Sequence, residues 1–345
     1  MGKLPSSKTP KNRLSLAMQN HQYKLCLKSP AFLGNATQDP QWRTPPVKAL
    51  LRQWWRVAWA AQHQFPVDYQ AMREEEAKLF GHAWLENDRN HAGESVAARK
   101  SSVRLRLLGQ NKQAGWSKGS QIGVQPLSTG LDTSYAWFGL VKTKGKADRN
   151  AIKPAGPEGE QTLAIAAPDS AWPMLQEALN LIDAFGNLGS RSRGGWGALH
   201  LPEATSLSPA DCLAYTRPLL KCLQTDWAMS LAQDAQGLCI WESRRTFSSW
   251  DKAMALIATE RRDVRKSLGK ELRFVLGEGG NERLPNPLRW KVVPAENDSV
   301  RVRVFAMPHA IPAGKGVSFQ GNQLHDAWRQ VCHTLDNNQN LRRWV

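Results

Sequence analysis

Apolar and polar positions alternate along the chain in short blocks, and each block predicts an element. Residues 23–28, Tyr-Lys-Leu-Cys-Leu-Lys, change polarity at every step and predict a first strand. A helix is predicted from Pro45 and Pro46, which suit a first turn, through Trp59. Within it Val47, Leu50, Leu51, Trp54 and Ala58 share one face and should pack on a sheet. A second helix is predicted over 71–81, closed by Gly81. Residues 101–107 alternate again, with Val103, Leu105 and Leu107 inward and Arg104 and Arg106 outward.

Further strands are expected at 135–141, 162–167 and 198–201. Between the last two lies a helix that Ser170 can cap, with Leu175, Ala178, Leu179, Ile182 and Phe185 at helical spacing. The second half shows helical patterns over 211–232 and 249–271, strands at 288–293 and 300–307, and a terminal helix at 323–335. In the 300–307 strand Arg301 and Arg303 alternate with Val302 and Val304 and so share one sheet face. Long loops interrupt the pattern at 29–44, at 109–130 (polar and glycine-rich) and at 142–159 (basic). A few strands with covering helices in both halves predict an α+β fold.

The helix that ends near Phe185 runs into the most distinctive stretch of the chain, residues 184–198. Gly186, Gly189, Gly194, Gly195 and Gly197 bracket Ser190, Arg191, Ser192 and Arg193. Glycine permits positive φ and a close backbone approach, and arginine offers the forked donors that suit phosphate. Neither the phosphate-binding loop ending in Gly-Lys-Ser/Thr nor the dinucleotide fingerprint after a strand is present. A solvated surface turn is the plain alternative. Against it, no Asp or Glu lies between Asp183 and Glu203, so the loop looks built to hold a polyanion.

Composition strengthens that view. Lysine and arginine number 46 against 30 aspartates and glutamates among 345 residues, a net charge of +16. Such an excess points to a polyanionic partner rather than to a particular fold. The length suits two domains. They are expected at 21–202 and 203–345, behind a basic arm at 1–20 that carries Lys3, Lys8, Lys11 and Arg13. Fifteen tryptophans against four tyrosines should mostly fill cores, with some free to offer flat faces to bases. Cys26, Cys212, Cys222, Cys239 and Cys332 show no Cys-x-x-Cys and no zinc spacing, and read as free thiols. No cofactor or metal is expected. With no apolar run of membrane-spanning length and no signal-peptide core, a soluble cytoplasmic protein without a membrane partner is the expectation.

The 45–59 helix carries its own charge pattern. Lys48, Arg52 and Arg56 fall at i, i+4 and i+8 and form a single stripe, with Trp55 and Trp59 beside it. Like charges at this spacing repel by a few tenths of a kcal/mol, and residues 40–67 contain no acid to offset them. An ordinary solvated polar face is one explanation. A partner that removes the repulsion is the other.

These residues also resemble a known family. Phe-Leu-Gly-Asn at 32–35, followed by Gln-Trp-Arg-Thr-Pro-Pro-Val-Lys-Ala-Leu-Leu-Arg-Gln-Trp-Trp-Arg at 41–56, is similar to the N-terminal signature of the RAMP superfamily of CRISPR effector proteins. Within it the resemblance is to the first, capping subunit of the type III-B (Cmr) complex. Leu-Phe-Gly at 79–81, Ser-Val-Arg at 102–104, the glycine loop at 186–197 and Glu-Arg-Leu-Pro-Asn-Pro-Leu at 282–288 follow in the family's order. Val47 and Ala49 depart from it, because glycine is frequent there. The resemblance implies two ferredoxin-like (RRM-type) domains with long loop insertions. It also implies CRISPR RNA, and target RNA besides, as partners together with other effector subunits. Carried over by position, it nominates Arg43, Lys48, Arg52, Arg56, Arg191 and Arg193 as RNA contacts. Trp55, Arg104, Arg106, Gly189, Ser190, Ser192 and Gly194 complete the expected RNA-binding set.

Chemistry beyond binding has thin support in the sequence. Metal-independent RNA cleavage needs a base near the 2′-hydroxyl and a cation for the developing charge, and the eight histidines form no motif. Asp39 stands where the cutting subunits of the family carry an acid, but Asp followed by Pro is an equally good turn. A non-catalytic RNA binder is expected. A RAMP backbone subunit or endoribonuclease, and a scaffold for acidic proteins, stand as alternatives.

Overall fold

The computed structural model describes residues 17–37, 39–65, 68–83, 89–90, 92–109, 115–116, 134–137, 140, 149–154, 159–278, 284–312 and 322–345. Most of the expected basic arm, most of the loops at 109–130 and 142–159, and the start of the motif at 282–288 lie outside them.

Two four-stranded antiparallel sheets organise the molecule, and both have the same connectivity. The first is built from β1 (Met18–Leu27), α1 (Thr44–Gln62), α2 (Tyr69–Phe80), β2 (Arg104–Leu108), β3 (Glu160–Pro168), α3 (Trp172–Phe185) and β4 (Leu199–His200). Its spatial order is β2-β3-β1-β4, with Tyr23 opposite Leu163 and Cys26 opposite His200. The second is built from β5 (Ile240–Ser243), α4 (Trp250–Ser267), β6 (Leu288–Pro294), β7 (Val300–Ala306), α5 (Gln323–Asp336) and β8 (Leu341–Arg343). Its order is β6-β7-β5-β8, with Lys291 opposite Arg303. In each, the second and third strands form one edge pair and the first and fourth the other. The α+β expectation holds.

The helices form where periodicity predicts them. Val47, Leu50, Leu51, Trp54 and Ala58 of α1 are buried against the first sheet and α3, together with Leu163, Ile165 and Phe185. Pro45 and Pro46 occupy the first turn of α1, and Gly81 ends α2 with φ of 85°. Ten of the tryptophans are buried, so indole area serves mainly to fill the cores. The five cysteines are buried and free, with Cys239 and Cys332 sulfurs 3.8 Å apart. Among the described residues no helix is long and apolar enough to cross a membrane.

Four expectations need correction. The first strand starts at Met18, inside the stretch read as an arm. Residues Ser134–Trp137 are helical rather than extended, because a short apolar run does not distinguish a strand from a buried helical turn. Ser170 is not a cap: Asp169–Ala171 form a 3₁₀ turn, and the helix begins at Trp172 with Pro173 in its first turn. The pattern at 211–232 breaks into the short helices Pro209–Cys212 and Leu219–Cys222. Between them Thr216–Pro218 pairs in parallel with Leu231–Asp234, and Pro218 cannot continue a helix.

The seam between the two sheets is polar and specific. Lys291 of β6 is fully buried and donates to the carbonyls of Ile182 (2.9 Å), Asp183 (2.6 Å) and Gly186 (2.9 Å). Arg303 of β7 donates to the Ala184 carbonyl at 3.0 Å and pairs with Glu242 at 2.7 Å. The last carbonyls of α3 have no partners within the helix, and these two cations supply them at the negative end of the helix dipole. The second sheet thereby fixes the point at which the chain enters the glycine loop.

Candidate functional site

The glycine loop is a clamped bridge rather than a solvated turn. On one side it is tied to the segment after β1. Ser190 N–H donates to the Phe32 carbonyl (3.1 Å), Gly197 N–H to Pro30 (2.8 Å), and the Ser29 hydroxyl to Gly195 (2.6 Å). On the other side it is tied to β6. Trp290 N–H donates to the Arg193 carbonyl at 3.1 Å, and the Asn187 amide donates to Ser192 and Trp290 carbonyls. Glycine is required at Gly197, where φ is 68° and an added Cβ would lie 1.9 Å from the Leu188 carbonyl oxygen. Trp196 is fully buried and its indole N–H donates to the Ala136 carbonyl. What this clamp leaves outward are Ser190 and Arg191, the latter exposed with φ of 59°, and the partly buried Ser192 and Arg193.

Two clefts meet at this loop. One, of about 460 Å³, is lined by Arg52, Gln53 and Arg56 of α1, Arg193, Arg289 of β6, Trp227 and His309 among others. Asp226 is the one carboxylate lining it among the described residues. The second, of about 740 Å³, is lined by Arg191 to Gly194, Arg261 and Arg265 of α4, Glu278 and residues 284–286. Arg193 and Pro285 belong to both walls, so the two clefts adjoin at the loop. Two stretches far apart in sequence, the α1 stripe and the loop, therefore face the same space.

The stripe itself is not bare. Glu76 of α2 reaches across, almost fully buried. Arg52 Nε donates to it at 2.8 Å, while Arg56 donates through Nε (3.0 and 3.1 Å) and Nη2 (2.9 Å). Lys48 Nζ donates to the Phe80 carbonyl at 2.9 Å, and burial followed by the neighbouring Arg52 charge lowers its pKa. The repulsion read along α1 is thus relieved largely from within the fold, correcting the inference that an external partner must do it. Glu76 lies outside the acid-free window, and only the α1–α2 packing brings it there. Both arginines keep more than a third of their side chains exposed.

Other expected RNA-binding residues separate from these clefts. Trp55 is buried against Trp59 and Phe80 and has no face to offer a base. Arg104 and Arg106 are exposed on the face of the first sheet opposite Val103, and so opposite α1. Arg43 takes the position before α1, half-buried, with Nε lacking a hydrogen-bond partner among the described residues. Gly189 (φ 93°) and Gly194 shape the loop: a Cβ on the first would press on the Phe32 carbonyl, and on the second on the Arg261 guanidinium. Asp39 completes a turn in which the Asn35 side chain accepts its N–H (2.9 Å) and Thr37 donates to its carboxylate (2.5 Å).

Sequence reading missed Arg289, Arg261 and Arg265 as site residues. Arg289 is 7% exposed, and its Nε has no hydrogen-bond partner among the described residues. Burial and the charge of Arg193 push its pKa down to about 9, so it remains a cation at neutral pH. Burial likewise lowers Arg193. Arg261 lies 5.4 Å over the Tyr135 ring with its Nε unsatisfied among the described residues. His309 Nδ1 lies 2.7 Å from the Ala310 carbonyl and so carries the N–H that donates to it. Burial above all, and then Arg193 and Arg289, hold its pKa below the usual value. His309 is thus a neutral imidazole among the guanidiniums of Arg193 and Arg289, and the charge of this wall comes from the arginines.

No family model matches the chain, and neither does any curated protein. Among solved structures the chain is similar to Cmr1 from Pyrococcus furiosus in its apo form. That match has 15% identity and a TM-score of 0.49, over 91% of this chain and 96% of that one. It is also similar to a chain of the type III-B Cmr-beta complex bound to cognate target RNA, with 12% identity and a TM-score of 0.46 over 92% and 99% of the two chains. A chain of the same complex with target RNA and AMPPnP, in the presence of ssDNA, gives 12% identity, a TM-score of 0.46 and coverage of 92% and 98%.

Proposed function

We propose that this chain is an RNA-binding subunit of a type III-B CRISPR effector ribonucleoprotein, in which two ferredoxin-like units hold guide RNA along the seam between them. The signature at 32–56 and the glycine loop support the family. The shared strand–helix–strand–strand–helix–strand connectivity supports the ferredoxin-like reading. The observation that carries the function is the convergence of Arg52 and Arg56 with Arg193 on one cleft that adjoins a second, lined by Arg191 and Arg261. Several cations lining adjoining clefts suit a ribose-phosphate backbone rather than a compact metabolite. Its role is to grip and orient RNA for an assembly that includes other effector subunits, in defence against invading nucleic acid.

The test is binding of a labelled single-stranded RNA across a salt series. The variant combines Arg52→Gln, Arg56→Gln and Arg191→Glu, keeping the loop clamp and avoiding a carboxylate beside Glu76. For each phosphate no longer neutralised, the dependence of log K on log salt should flatten by about 0.7, for every RNA sequence alike. Wild-type binding that ignores salt, or a variant that binds as the wild type does, would rule the proposal out.

A further inference from the structure

We infer that Arg289 and Arg193 together form a receptor for a single phosphate group, with buried Arg289 behind and Arg193 in front, set where the two clefts join. In the assembly just proposed this is one internal phosphodiester of the bound strand, and to that extent the inference rests on that reading.

The pair is independent of the α1 stripe. Arg289 belongs to β6, is more than nine-tenths buried and lines the cleft, yet its Nε meets no acceptor among the described residues. Arg193 lines the same cleft and likewise makes no ion pair among the described residues. Its backbone is anchored, because the N–H of Trp290, the neighbour of Arg289 in β6, donates to the Arg193 carbonyl at 3.1 Å. One strand thus carries one guanidinium and, through its next residue, anchors the backbone of the residue that brings the other to the same cleft. Asp226 also lines the cleft but pairs with neither arginine.

Elsewhere in the seam comparable cations are answered. Arg303 has Glu242, Arg343 has Asp234 and Asp336, and Lys291 has three carbonyls. A desolvated cation left without an anion is strongly unfavourable, and two side by side more so. A fold that keeps such a pair is therefore suited to receive an anion there. Two guanidinium forks approaching from different chain segments suit a tetrahedral group with several oxygens better than one planar carboxylate. Arg193 lines both clefts, so a strand lying along the two would present an internal rather than a terminal phosphate there.

The full-length chain is compared with Arg289→Met, which keeps length and apolar packing, and with Arg289→Lys, which keeps charge without the fork. Three quantities are measured: the melting temperature without ligand, its rise on adding inorganic phosphate, and single-stranded RNA affinity by fluorescence anisotropy. Removing an unpaired buried cation should leave the unliganded melting temperature of Arg289→Met unchanged or higher. Its RNA affinity should fall about 10- to 100-fold, as for loss of charge-assisted hydrogen bonds, and the phosphate-induced rise should vanish. Arg289→Lys should fall between the two.

Wild-type protein that gains no stability from phosphate, together with an Arg289→Met variant that binds RNA normally, would overturn the receptor. A lower melting temperature with unchanged RNA affinity would assign Arg289 a structural role and overturn it too. Phosphate stabilisation that requires Arg289 in a protein that ignores RNA would uphold the phosphate site and sink the RNA-binding function instead. If Arg289→Met fails to fold, the wild-type phosphate titration and Arg289→Lys carry the test: no phosphate-induced rise in the wild type, or a rise undiminished in Arg289→Lys, overturns the receptor.

Discussion

The two walls of the central cleft carry similar charge and treat it in opposite ways. On the α1 wall, Arg52 and Arg56 converge on buried Glu76 and Lys48 turns to a helix-end carbonyl. On the loop wall, Arg193 and Arg289 stand together without an ion pair among the described residues. In the sequence the α1 stripe is the more conspicuous feature, whereas in the structure the loop wall is the less compensated one. A run of like charges therefore says where cations are, and tertiary packing decides which of them remain available. The α1 wall acts as a pre-ordered rim, with forks held in register by one carboxylate. The loop wall is the part that an anion would complete.

That contrast requires a rigid loop wall, since a loose one would simply turn Arg193 out to solvent. Gly197→Ala is the most damaging way to ask. Its Cβ would sit 1.9 Å from the Leu188 carbonyl at φ of 68°, and its own N–H bond to Pro30 would break as the backbone moved. We expect a loss of about 3–5 kcal/mol in urea unfolding, in the range set by combined steric and backbone strain, with RNA binding falling in parallel. A loss below about 1 kcal/mol, the level of an ordinary surface change, would mean that the loop yields and the wall is not preformed.

Next in size is Glu76→Gln, which strips the α1 wall of its compensation. Glu76 is buried but its partners are more than a third exposed, so solvent screens much of the interaction, and about 1–3 kcal/mol of stability should be lost. RNA affinity should stay level or rise, because two guanidiniums are released toward the cleft. A drop in affinity with stability intact would show that Glu76 aims the arginines, and the two walls would then be alike in needing preorganisation.

Much of this architecture is legible in the sequence, and what is not has identifiable causes. The strands at 18–27, 160–168 and 300–306 and the helices at 44–62, 69–80 and 323–336 are long enough for period-2 or period-3.6 patterning to emerge. The strands β5 and β8, at four and three residues, are too short to show a period, although each pairs within the second sheet. Glu76 is invisible as a partner because no local window contains it. Arg289 and Lys291 alternate with Leu288, Trp290 and Val292, which reads as a strand with a wet face, yet that face is buried at the seam. The usable signal is the neighbouring strand, where Arg301 and Arg303 repeat the same alternation: four cations on one sheet face, with Lys291 directly opposite Arg303, point to an intramolecular acceptor or a bound anion.

Lys291 allows the finest test, because it is the seam cation whose charge is most nearly balanced. Burial pushes its pKa down to about 7, opposed by the Asp183 charge and reinforced by Arg303, while three carbonyl oxygens accept from its Nζ. In the unfolded chain the same amine holds its proton to about pH 10.4. Between those values the unfolded state binds more protons, so this group makes stability rise with pH from about 7 upward. Below about pH 7 both states are protonated and the contribution is flat. Arg289, pushed down to about 9, adds nothing to the slope until higher pH, and the buried thiols, whose pKa values are raised, act in the opposite sense only as unfolded cysteines ionise near 8.5. The window from pH 7 to 8.5 is therefore where the lysine should show. Wild-type unfolding free energy should climb modestly across it, and Lys291→Met, though less stable at every pH because α3 loses its terminal donor, should remove the climb. A slope that survives the substitution would assign the proton uptake to another group and leave Lys291 a charged clasp, which would bring the seam and the α1 wall closer in kind than the contrast between them allows.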